Sequence, residues 1–142
     1  MIVGLNEMIQ ISTDKQALDL PFIHNFLSST YWAKGRSREA VQVCIDNSLN
    51  FGVFLNAKQI GYARVVTDYV VFAYIMDVFI EETHRNNGYA SLLMQHIMTN
   101  ALIKDVQTWK LATTNAHFLY KKFGFKSIET PENMMVKNNL RA

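Results

Sequence analysis

Cysteine is almost missing from this chain: Cys44 is the only one in 142 residues. A lone thiol excludes an internal disulfide and any metal site built from several cysteines. Proline is nearly as scarce, with only Pro21 and Pro131, and no linker or low-complexity tract divides the chain. Charge of one sign is also lacking. The net value of +2 is too small to argue for a nucleic-acid or membrane partner. The longest apolar run, Val70–Met76, is far too short to span a bilayer. The opening MIVGLNEMIQ has no basic region ahead of an apolar one, so no secretory signal is expected, and a cytoplasmic location is the default. His24, His84 and His96 lack ligand-like spacing with one another, so no metal is expected.

What is present is a globular composition, 49% apolar and 18% charged, of a length that suits one domain over residues 1–142 with one core. Alternation predicts a first strand over Glu7–Ser12. Pro21 sits near the first turn of a helix. A second helix opens at Ser37 or Arg38 and places Val41, Cys44, Ile45 and Leu49 on one face. Phe51–Leu55 and Gln59–Thr67 read as a hairpin around Asn56-Ala57-Lys58.

Val70–Ile80 is apolar on both faces, as a central strand should be. Alternation there puts Ala73, Ile75, Asp77 and Phe79 on one side and Met76, Val78 and Ile80 on the other. Ala90, Leu93, Met94, Ile97, Met98 and Ala101 form a helical stripe. Then come a strand over Trp109–Thr114, a short helix capped by Asn115 and ended by Gly124, and two closing strands, FKSIE and ENMMVK, around Pro131. This order predicts a mostly antiparallel sheet with one parallel crossover.

The helix after Val70–Ile80 begins with RNNGYAS, Arg85–Ser91. The first N–H groups of a helix lack partners and carry the positive end of its dipole. Small residues there let an anion's oxygens reach the backbone, and Arg85 could add a charge-assisted contact. The same stretch also reads as a plain strand-to-helix loop eased by a glycine. Neither a P-loop nor a dinucleotide fingerprint is present.

Arg85-Asn86-Asn87-Gly88-Tyr89-Ala90 resembles the [RQ]-x-x-G-x-[GA] signature of the GNAT acyl-CoA N-acyltransferases. AHFLYKKFGF resembles that family's A-x-x-x-Y-x-K-x-G-F. The resemblance covers essentially the whole chain. It implies an α/β (α+β, three-layer) fold, a mostly antiparallel mixed sheet with splayed central strands and flanking helices. It also implies acetyl transfer from acetyl-CoA to a primary amine, with a small-molecule acceptor. A non-catalytic acyl-CoA-binding module and a protein lysine or N-terminal acetyltransferase are the alternatives.

Carried over residue by residue, the resemblance assigns the coenzyme's pyrophosphate to the amides of Asn86, Asn87, Gly88, Tyr89, Ala90 and Ser91, with Arg85 at the rim. It assigns the pantetheine arm to main-chain groups of Val78, Phe79 and Ile80, and the proton donor to the leaving thiolate to Tyr120. Seven positions before Tyr120 the family often has asparagine; here Thr113 stands there, and Asn115 lies nearby. Asp77 is either a general base or a buried acceptor for a group such as Arg64, because a carboxylate in an apolar strand needs a partner. His117 shares a helix face with Tyr120 and either assists there or is packed or surface-exposed. The acceptor region of the family corresponds to Phe22, Tyr31, Trp32 and Arg36, unless those aromatics pack inward. The closing strands near the C-terminus would be free to pair in a homodimer.

Overall fold

The computed structural model describes residues 8–139. In chain order the elements are β1 (Ile9–Ser12), α1 (Leu20–Ser28), α2 (Arg38–Asp46), β2 (Leu49–Leu55), β3 (Lys58–Thr67), β4 (Phe72–Ile80), α3 (Tyr89–Thr99), β5 (Thr108–Lys110) and α4 (His117–Lys121). The strands form one sheet in the order β1-β2-β3-β4-β5. The first three pairings are antiparallel and β4–β5 is parallel, reached by a crossover through α3. No helix among the described residues is long and apolar enough to cross a membrane.

Local chemistry explains most boundaries. Asp19 and Ser37 cap α1 and α2, accepting from the amides of Phe22 and Ala40. Asn56 and Ala57 both take positive φ, 50° and 70°, which makes the tight turn that matches strand twist. Asp68 Oδ1 accepts from the amides of Val70, Val71 and Phe72 at 2.8–3.1 Å. Those bonds hold its carboxyl below the usual range, and they make Val70 and Val71 part of a turn, so β4 begins at Phe72.

The sheet is covered on both faces. Leu93, Met94 and Ile97 of α3 and Leu119 and Tyr120 of α4 pack with Phe51, Val53, Val65, Ala73 and Ile75. On the other face Ile23 and Leu27 of α1 and Val41 and Ile45 of α2 enclose Tyr62 and Phe79. At Gly61 a Cβ would lie 2.8 Å from the Phe79 carbonyl oxygen and 3.2 Å from Val53 Cβ, so a glycine is required for β3 to lie this close to the end of β4.

Several expectations are corrected. Ala73 and Ile75 do not share a face with Phe79; they pack with Ile80 against α3, while Phe79 joins the α1–α2 core. The cause is a bulge. Arg64 pairs with Met76 and Tyr62 with Phe79, so two β4 residues oppose Ala63 and the alternation slips by one. Leu49 opens β2 and does not extend α2, and β5 stops at Lys110, well before Thr114. Asn115 does not cap α4: the cap is Ala116, whose amide donates to Thr113 Oγ1 at 3.1 Å. Neither closing strand forms. Among the described residues beyond α4 the one regular element is a 3-10 turn at Pro131–Asn133, which removes the basis for a strand-paired dimer. Glu7 lies outside the described residues, and β1 begins at Ile9.

Candidate active site

The β4–β5 ladder runs only from Phe72↔Thr108 to Tyr74↔Lys110, while β4 continues to Ile80. Past that point the seam is open. A cleft of about 480 Å³ fills the gap, with Met76, Asp77 and Val78 on one side and Leu111, Thr113 and Tyr120 on the other. Tyr31 and Trp32, from the loop between α1 and α2, close its third side.

The bulge sits beside this opening. Asp77 takes φ 56°, a conformation that costs a non-glycine residue about 1 kcal/mol or more. Its side chain is 1% exposed and held at both oxygens. Arg64 Nε donates to Oδ2 at 2.7 Å, Arg36 Nη1 donates to Oδ2 at 2.9 Å, and Trp32 Nε1 donates to Oδ1 at 3.1 Å. Arg64 was the partner expected for a buried acceptor, and the geometry is of that kind. The carboxylate beside the cleft is thus already bound to two guanidinium groups. This network ties the α1–α2 loop to the strand bulge and leaves the cluster with one unit of positive charge.

The other expected acceptor residues divide. Tyr31 is 72% exposed and its hydroxyl lies 3.1 Å from Thr114 Oγ1 across the cleft mouth. Its ring meets Trp32 edge-on at 5.2 Å. Phe22 turns away, packing 5.7 Å from the ring of Phe79. Arg36 reaches Asp77 from behind.

The loop before α3 is open as well. Asn86 and Gly88 are left-handed, φ 66° and 78°, and no side chain caps α3. The space that a Cβ at Gly88 would occupy is empty to 4 Å. Asn87 Nδ2 turns inward to the carbonyls of His84 and Arg85. Arg85 Nε donates to the Ile80 carbonyl at 3.0 Å, so that carbonyl is already in use and Arg85 is anchored to the strand end. Tyr120, buried on α4, has its phenol pKa pushed up by burial. Its hydroxyl has no hydrogen-bond partner among the described residues.

A family model described as "Acetyltransferase (GNAT) domain" matches residues 43–127. The chain belongs to the GNAT acetyltransferases. This GNAT chain is 39% identical to a GNAT-family acetyltransferase from Xanthomonas campestris pv. campestris, with a TM-score of 0.89 over 93% of this chain and 94% of that one. It is 25% identical to a Staphylococcus aureus protein assigned as an acetyltransferase, with a TM-score of 0.76 over 93% of this chain and 100% of that one. A Gibberella zeae protein assigned as an acetyltransferase is 27% identical over 151 residues, 87% of this chain and 82% of that one.

The structure brings Asp77, Val78, Thr113, Asn115, Tyr120, Tyr31 and Trp32 to one cleft of this acetyltransferase. It leaves Phe22 half-buried against the α1–α2 core, away from the cleft. Sequence reading did not link Trp32, Arg36 and Asp77 into one unit. The only signal was a single carboxylate inside an apolar strand.

Proposed function

We propose that this protein, acting as one domain over residues 1–142, transfers an acetyl group from acetyl-CoA to a primary amine of a small-molecule acceptor. The observation that carries this reading is the open β4–β5 seam with Tyr120 facing into it. The empty space over Gly88 at an uncapped helix start fits a diphosphate. A Clostridium acetobutylicum acetyltransferase of the same fold, 15% identical with a TM-score of 0.65, was solved with acetyl-CoA.

Acetyl-CoA supplies an acetyl group activated as a thioester. The amides of Asn86–Ser91 hold the diphosphate and Arg85 stands at its rim. Main-chain groups at the end of β4, Val78 above all and its neighbour Phe79, bind the pantetheine arm like an added strand. The Val78 amide is aimed to stabilise developing negative charge. Tyr120, kept protonated by burial, donates a hydrogen bond or its proton to the departing sulfur as negative charge develops there. Asp77 serves as a positioning residue, and water in the cleft takes the proton from the amine.

Calorimetric titration with acetyl-CoA tests the donor, and thiol release with a panel of amines tests the acceptor. No binding at millimolar acetyl-CoA overturns the proposal. Binding without thiol release makes the protein a sensing module, and release only with lysine peptides moves the acceptor class to proteins. Tyr120→Phe is expected to lower kcat about 100-fold with nearly unchanged coenzyme affinity.

A further inference from the structure

We propose that Tyr31 and Trp32 form an aromatic subsite for the tail of the acceptor, and that the acceptor is an arylalkylamine, a primary amine with an aromatic ring a few bonds away and no second charge. This inference rests on the acetyl-transfer reading and names the acceptor's class.

The two rings span the open seam. Trp32 Nε1 donates to Asp77 Oδ1 on the β4 wall at 3.1 Å, and the Tyr31 hydroxyl lies 3.1 Å from Thr114 Oγ1 on the opposite wall. The rings meet edge-on with centres 5.2 Å apart. Each polar handle is engaged with the protein, so what the pair offers a ligand is ring surface. The core does not use that surface. Tyr31 is 72% and Trp32 44% exposed, while the next residue, Ala33, is buried among α1 and α2. Rings held in place in this way lose little freedom when a ligand packs on them.

The charge of the cleft selects the tail. Among the described residues that line it, the one charged side chain is Asp77. Both oxygens of Asp77 are taken, and the Arg36 and Arg64 that share it do not line the cleft. A second ammonium on the acceptor therefore finds no free carboxylate and faces the net positive charge of the cluster. An acid group finds no cation on the lining to replace its lost water. Met76, Leu111 and Ala112 add apolar surface to the same cleft. A flat, uncharged, apolar tail suits these walls.

Position agrees with chemistry. The seam lies between two strands, so it opens on both faces of the sheet. Tyr120 packs with α3 on one face, and the rings come from the loop joining α1 and α2, which cover the other. Coenzyme and acceptor tail thus enter from opposite sides, with the amine brought to Val78 on the cleft wall.

The test compares kcat/KM for 2-phenylethylamine with that for hexylamine, 1,4-diaminobutane and 4-aminobutyrate, by thiol release from acetyl-CoA. Wild type is expected to prefer 2-phenylethylamine to each of the others by about tenfold. Tyr31→Phe keeps the ring and is expected to keep the preference. Tyr31→Ala is expected to reduce it to below about threefold. Tyr69→Ala, at an exposed tyrosine between β3 and β4, is expected to keep it. A wild-type preference below about threefold against any of the three amines, or a preference that survives Tyr31→Ala, overturns the proposal. Amide NMR with 2-phenylethanol, which has no amine, in the absence of coenzyme separates this test from the acetyl-transfer reading. Shifts confined to residues 31–32, 76–78 and 114–116 support the subsite even where acetyl-CoA fails to bind. Shifts that are absent or scattered overturn it, as do shifts centred on Trp109 in the separate hollow of about 430 Å³ between β5 and the segment that follows α4.

Discussion

Along its β3 side, strand β4 is paired from Ala73 to Ile80, interrupted only by the bulge at Asp77; along its β5 side, pairing ends at Tyr74. The first seam is drawn tight by Gly61, which lets the backbones close, and by the Arg64–Asp77 ion pair across the bulge. The second seam has nothing to hold it, because β5 is three residues long and the chain then turns toward α4. One strand thus serves as a core element on one edge and as an open peptide-like edge on the other. A sheet can expose backbone hydrogen-bonding groups to a ligand on one edge when the opposite edge is fully paired.

The comparison breaks most severely at Asp77. Asp77→Ala strands two guanidinium groups, Arg64 almost wholly buried and Arg36 mostly so, and is expected to cost about 3–5 kcal/mol; urea unfolding measures it. A loss below about 1 kcal/mol shows that the ion pairs do not hold the tight seam. Gly88→Val probes the open side. It places a branched side chain at φ 78° over the free amides and is expected to weaken acetyl-CoA binding about tenfold or more, by calorimetry, with a stability loss of about 1 kcal/mol or more. Unchanged affinity removes that loop from the site.

The smallest effect is in pH. Burial raises the phenol pKa values of Tyr62 and Tyr120 above the ordinary value of about 10. Above that value the unfolded chain releases these protons first, so stability falls as pH rises and is unaffected by these groups at neutral pH. The urea midpoint is expected to drop progressively as pH rises above about 10, and Tyr62→Phe to flatten the drop. A midpoint that stays level in wild type removes the phenols from the alkaline limb.

Much of this arrangement was legible in the residues. The α3 stripe, the β2–β3 turn and the parallel crossover follow from local periodicity and turn chemistry, which act over a few residues and need no distant partner. The uncapped start of α3 was legible for the same reason. The bulge was not: Asp77 and Val78 sit within a run that is apolar on both faces and so carries no alternation to break, and only the register against β3 shows the extra residue. The closing strands failed in the opposite way. FKSIE and ENMMVK have acceptable alternation, but a strand exists only where an edge receives it, and Phe125 turns back onto Tyr120 at 6.1 Å. The Trp32–Arg36–Asp77 network joins residues more than 40 positions apart, and periodicity carries no such information.

The chain has two tryptophans, and the fold deals one to each chamber: Trp32 to the seam beside Asp77, Trp109 to the hollow between β5 and the segment that follows α4. Indole emission follows the polarity around the ring. The molecule is therefore optically labelled by its own sequence, and replacing either indole by phenylalanine leaves a protein whose fluorescence watches a single compartment fill.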